Sequence, residues 1–140
     1  MPPTTPAAAR LKAFTVVFLL LTLAGCLADE TLRAYGAADK IWTLTEARNF
    51  TPDTAITLTF PETGRIAGNA PCNSYSATLD VPYPWFDAGP IAATRRVCPA
   101  LQVETSFFTA LGAATLSEVL DNTLILSDED GMLMVFRADG

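Results

Sequence analysis

The chain contains no histidine. Without an imidazole, neither a Ser-His-Asp nor a Cys-His nucleophile can be assembled, and most zinc sites lose a usual nitrogen ligand. Basic residues are also scarce: 9 Lys and Arg stand against 15 Asp and Glu, a formal charge of −6. Nucleic-acid phosphates require a basic face, so no nucleic-acid partner is expected. No Gly-x-Ser-x-Gly elbow and no phosphate-cradling glycine loop occurs. Asp128-Glu129-Asp130 lacks the spaced oxygen ligands of a calcium loop and reads as a solvated hairpin turn. No metal and no cofactor are expected. There is no internal repeat and no linker that would divide the chain into two domains.

Long hydrophobic runs are missing too. The longest uncharged apolar stretch, Ala13–Ala24, has 12 residues. A permanent membrane helix needs about 20. Preceded by Arg10 and Lys12, the run instead has the form of a signal-peptide core. It ends in Leu23-Ala24-Gly25-Cys26, which resembles the bacterial lipobox. That resemblance implies a signal peptide over residues 1–25, cleavage before Cys26, and lipid on its sulfur and new amino group. Several acyl chains anchor firmly, since each buried methylene contributes about 0.8 kcal/mol. Leu27 follows the cysteine where aspartate would resemble an inner-membrane retention signal. The expected location is therefore the cell envelope, on the outer membrane facing the periplasm. All 15 acidic residues and only 7 basic ones lie after residue 25, a formal charge of −8.

Cysteine is nearly absent, and the few present can be assigned. Of 3 cysteines, Cys26 is the lipidation candidate, leaving Cys72 and Cys98. An even remainder in an exported protein favours one disulfide, with two free buried thiols as the alternative.

What remains is mostly strand pattern. Residues 26–39 are poor in β-branched and aromatic residues and are expected to form a flexible tether. From residue 40 to 138 short runs alternate apolar and polar positions. Expected strands are Lys40–Thr45, with Trp42 and Leu44 inward, and Ala55–Phe60, with Ile56, Leu58 and Phe60 inward. Arg65–Gly68 should continue the hairpin after the Pro61–Gly64 turn. Gly68 suggests a bulge or a close backbone approach, and Pro71 requires a kink before Cys72. Asn73–Asp80 resumes alternation with Tyr75, Ala77 and Leu79 inward. Trp85, Phe86 and Ile91 are assigned to a further strand. Three strands close the chain: Thr115–Leu120, Thr123–Ser127 and Met132–Arg137.

One helix interrupts this order, over Leu101–Gly112. Its apolar arc of Leu101, Val103, Phe107, Phe108 and Leu111 contains one carboxylate, Glu104. A lone buried carboxylate costs several kcal/mol. Glu104 is therefore expected to pair with Arg95 or Arg96, or to bond backbone donors near Gly68–Asn73.

The blocks Gly64-Arg65-Ile66-Ala67-Gly68, Cys72-Asn73-Ser74-Tyr75, Pro90-Ile91-Ala92-Ala93-Thr94-Arg95 and Cys98-Pro99 resemble those of the META domain family, which includes HslJ-like heat-shock lipoproteins. Trp42, Leu44, Leu58, Phe60, Glu104, Phe108, Leu111 and the closing Leu133–Phe136 run extend the likeness. It covers residues 40–138. It implies a mainly antiparallel β fold with one helix (α+β), a small partly open barrel closed by that helix. It implies structural roles for Gly68, Asn73, Tyr75, Thr94, Arg95 and Glu104, and no activity. The expected function is a non-enzymatic envelope binding or maintenance module, with the membrane and possible envelope proteins as partners. Two alternatives stand beside it: a carrier or sensor holding a small apolar ligand in the barrel, and an enzyme using Glu104 with Arg95.

Overall fold

The computed structural model describes residues 2–3 and 28–139. The signal segment, the lipobox and Cys26 lie outside the described residues. The strands are β1 (Trp42–Ala47), β2 (Thr57–Glu62), β3 (Gly64–Asn69), β4 (Ser74–Leu79), β5 (Ala92–Ala93), β6 (Leu116–Leu120), β7 (Thr123–Asp128) and β8 (Gly131–Ala138). The single α-helix among the described residues, α1, spans Leu101–Ala113 between β5 and β6. The strands form one sheet in the order β5-β4-β3-β2-β1-β8-β7-β6, and every neighbouring pair is antiparallel. The α+β class expected from the pattern is the one observed.

Period-two alternation accounts for most of the packing. Trp42, Leu44, Ile56, Leu58, Phe60, Ile66, Tyr75, Ala77 and Leu79 are all buried, as their positions in the alternation require. β8 departs from it. Met132 is exposed, whereas Leu133, Met134, Val135 and Phe136 are buried in succession. β8 lies inside the sheet between β1 and β7, and both of its faces are buried at these four positions, so the strand no longer reads as alternating. α1 lays Phe107 against Tyr75 with ring centroids 5.4 Å apart, and Phe108 against the same ring at 5.5 Å.

The expected barrel is not closed by pairing of its strands. β5 and β6 are the two edges of the ladder and do not pair. The irregular segment between β4 and β5 lies against both margins instead. Gly89 N–H donates to Thr78 O, Phe86 N–H to Thr115 O, and Ser117 N–H to Pro84 O. The strand expected around Trp85, Phe86 and Ile91 shrinks to one bridge, Trp85 with Leu116, and to the two residues of β5. Three prolines, Pro82, Pro84 and Pro90, remove the donors a longer ladder needs.

The expected flexible tether is also corrected where it is described. Asp29–Asp39 is packed onto the domain. Leu32–Tyr35 forms a 3-10 turn, and Leu32 and Ala37 are fully buried. Arg33 Nε donates to Phe60 O at 3.2 Å, and Trp42 Nε1 donates to Ala37 O at 3.0 Å. Tyr35 stacks on Tyr83 at 4.6 Å. Low propensity left this segment without a pattern, and tertiary contacts order it.

Candidate functional site

Gly68 explains why β2 and β3 can lie so close at this end. It pairs regularly with Tyr75, so of the two expectations, a bulge or a close backbone approach, the close approach is the one found. A Cβ there would fall on Thr57 O. The close approach brings the same carbonyl within reach of Tyr75, whose hydroxyl donates to Thr57 O at 2.7 Å. Beyond Asn69 the chain turns, with Ala70 N–H donating to Asn73 O at 2.8 Å. The kink predicted before Cys72 is this turn.

The turn aims two backbone donors at the helix. Cys72 N–H and Asn73 N–H donate to Glu104 Oε2 at 2.8 and 2.9 Å. Asn73 Nδ2 donates to Glu104 Oε1 at 2.6 Å. Glu104 stands in the first turn of α1, where the helix dipole favours a negative charge. Only 3% of its surface is exposed. Of the partners proposed from sequence, the backbone donors near Cys72 and Asn73 are the ones found. Arg95 and Arg96 make no side-chain bond to it. The arginines were the nearer choice along the chain, but the turn presents its amides directly, at lower cost than burying a guanidinium.

Asn73 extends the network to the irregular segment after β5. Its Nδ2 also donates to Arg96 O at 3.0 Å, and its Oδ1 accepts from Arg96 N–H at 2.6 Å and from Thr94 Oγ1 at 2.9 Å. Ser74 N–H donates to Thr94 Oγ1 at 3.2 Å. Thus Asn73, Thr94 and Glu104 form one connected group. No buried polar side-chain atom among the described residues lacks a partner.

A covalent link joins the same two segments. Cys72 and Cys98 form a disulfide with Cα atoms 5.6 Å apart. Cys72 contributes both its sulfur to this bond and its amide to Glu104. The turn, the segment leaving β5 and the helix N-terminus are held at one point.

Burial drives the Tyr75 hydroxyl far above the usual tyrosine value. Below about pH 10 both folded and unfolded forms are protonated. Above it, the unfolded chain ionises first, so stability is lost as pH rises. Tyr75→Phe is expected to make the alkaline decline shallower in melting temperatures measured from neutral pH to above pH 10. At neutral pH it should cost about 1 kcal/mol for the lost bond to Thr57 O.

The arrangement is a structural knot in which Asn73 and Glu104 are buried. An acid–base pair of Glu104 with Arg95 is not assembled: the carboxylate is filled by protein donors, and Arg95 is solvent-exposed. The domain interior is occupied by Trp42, Phe86, Phe107 and Phe136. The most enclosed cleft described lies outside it, about 260 Å³ between α1 and the β1–β2 loop, with Phe50 and Leu133 among its walls. The acidic turn after β7 is occupied as well. Asp128 pairs with Arg48 at 2.7 Å and its Oδ1 accepts from Asp130 N–H. No cluster of three metal-ligating side chains occurs among the described residues.

Fold and site together define a small α+β domain: an open antiparallel sheet, one helix across its inner face, and a buried Asn–Glu knot beside a disulfide. Residues 36–140 match the model of the META domain, and the chain belongs to that family. No curated protein matches it significantly. Among solved structures, it resembles a protein of Burkholderia xenovorans determined by NMR, with a TM-score of 0.59 at 22% identity over 74% of this chain and 83% of that one. It also resembles a DUF4847 family protein of Bacteroides vulgatus, with a TM-score of 0.54 at 14% identity over 74% and 94%. At these identities the likeness concerns the fold.

Proposed function

We propose that this META-domain chain is a lipid-anchored protein of the bacterial envelope, attached through Cys26 to the outer membrane and facing the periplasm. Its domain acts as a non-enzymatic binding or envelope-maintenance module. The observation that carries the reading is the lipobox Leu23-Ala24-Gly25-Cys26 at the end of an export signal. It is supported by a disulfide that suits an oxidising compartment. Among the described residues the packed part reaches back to Asp29, whose carboxylate accepts from Thr31 and Thr63. Cleavage before Cys26 would leave this packed part whole. Among the described residues no helix is long and apolar enough to cross a membrane.

The sealed position of Glu104 supports a module without acid–base chemistry. A small apolar ligand held inside the sheet, the alternative reading, finds no support in an interior filled by aromatic side chains.

Mass spectrometry of the membrane-extracted protein tests the anchor. The expected N-terminal peptide begins at Cys26 and carries diacylglycerol and an acyl chain. Cys26→Ser should move the protein to the soluble fraction. An unmodified mature N-terminus at another residue would end the lipoprotein reading.

A further inference from the structure

The two edges of the sheet are treated differently. Along β6, Ser117 N–H donates to Pro84 O, and Phe86 N–H donates to Thr115 O at its start. Nothing described pairs with the outer side of β5. Thr94 N–H donates inward to Ser74 O, and Arg96 N–H donates inward to Asn73 Oδ1. In an antiparallel ladder successive residues alternate inward and outward. Ala93, which lies opposite Tyr75 in the register, therefore turns its N–H and C=O to the open edge. The side chains of Ala92 and Ala93 are too small to screen this edge, and both residues are exposed. Natural sheets commonly protect such an edge with a bulge, a proline or a covering segment.

The charges at this edge are distinctive. Every other basic side chain among the described residues is engaged. Arg33 bonds Phe60 O, Lys40 bonds Asp121 O, Arg48 and Arg65 pair with Asp128 and Glu62, and Arg137 bonds Thr123. Arg95 and Arg96 make no side-chain bond and are exposed, and Val97 beside them is 85% exposed. In a chain of strong negative charge this is an isolated cationic strip. It is held rigid from behind by Asn73 and the disulfide. A shallow groove lined by Arg65, Ser74, Ser76 and Ala92 runs beside it on the outer sheet face.

We propose that the β5 edge, together with Arg95 and Arg96, receives an extended acidic segment of a partner protein as an added strand. The outward N–H and C=O groups supply the ladder, and the guanidiniums supply charge-assisted hydrogen bonds to carboxylates. A lipid surface is disfavoured by position. Asp29, from which the chain runs back to Cys26, is bonded at the β2–β3 turn, whereas Arg96 is bonded at the opposite end of β4. β4 separates the two by roughly 17 Å. Only this exclusion uses the anchoring reading. The edge and its cations stand without it, and the mass of the Cys26 peptide tests the anchor separately.

The test uses the full-length protein in detergent and a short peptide alternating glutamate and valine, titrated while amide resonances are followed. Shifts are expected at Ile91–Arg96, with no response to a lysine–valine peptide. Arg95→Ala with Arg96→Ala should weaken binding about tenfold or more. These side chains have no partners, so the double variant should melt with the wild type. Ala93→Pro removes an outward N–H and should abolish binding while both charges remain. Equal binding of the lysine peptide, unchanged affinity in the arginine variant, or shifts confined to another face would overturn the proposal. So would anionic vesicles bound through the arginines while the peptide is ignored, or self-association through β5 that the peptide does not displace.

Discussion

Glu104→Ala is expected to destabilise the domain by about 3–5 kcal/mol. The carboxylate is the acceptor for Cys72 N–H, Asn73 N–H and Asn73 Nδ2. Removing it leaves three donors in a region with 3% exposure at the residue itself. Each stranded donor costs about 1–3 kcal/mol, and the smaller side chain adds a cavity term. Glu104→Gln separates charge from shape. The amide retains one acceptor oxygen, but its NH2 must face at least one of the same donors. Its expected cost is about 2–4 kcal/mol. Urea denaturation with the disulfide intact measures both. A loss below about 1 kcal/mol for alanine would show that the turn finds other acceptors and that Glu104 does not hold it.

Opening the disulfide is the second large effect. Cys72 and Cys98 are separated by 26 positions. In the chain-entropy account, closing such a loop contributes about 3.5 kcal/mol by restricting the unfolded chain. Cys72→Ser with Cys98→Ser should lower stability by about that amount in denaturant titration. Reduction of the wild type should do the same. The two sites should not behave independently, because Cys72 also donates its amide to Glu104. With the disulfide removed, the turn carrying the two donors is less constrained, and part of the Glu104 contribution is already lost. The combined loss is expected to fall short of the sum by about 0.5–3 kcal/mol, the range seen for residues in one network. Strict additivity would mean that the crosslink and the carboxylate hold separate parts of the fold.

The knot was partly legible in the sequence. Glu104 stood out because a charge within an apolar helical arc has to be satisfied, and the donors near Asn73 were among the expected partners. The choice between them and Arg95 or Arg96 was not legible. Sequence distance favours the arginines, yet the bond is made to Asn73, 31 positions away. That choice depends on where the β3–β4 turn meets the first turn of α1. The hub role of the Asn73 carboxamide, which engages Thr94, Arg96 and Glu104 at once, was legible only as a motif position. No local signal shows which of several polar side chains a distant backbone will meet.

Two features escaped the pattern altogether. The segment Asp29–Asp39 looked like a tether because it lacks strand and helix periodicity. Its order comes from contacts with Phe60, Trp42 and Tyr83, none of which leaves a periodic trace. The open ladder escaped for a similar reason. β5 was placed within a longer strand through Trp85, and only the packed fold shows that strand reduced to an edge of two residues.

By itself the amino-acid sequence determined the class of fold, the inward positions of most strands, the two cysteines available for a disulfide and the candidate anchor. Each depends on local periodicity, composition or a short motif. Tertiary structure decided which donors satisfy Glu104, how the segment before β1 is ordered, and which sheet edge stays uncovered beside two unpaired arginines. Those outcomes follow from register and close approach between distant segments, and a one-dimensional pattern carries no direct record of either.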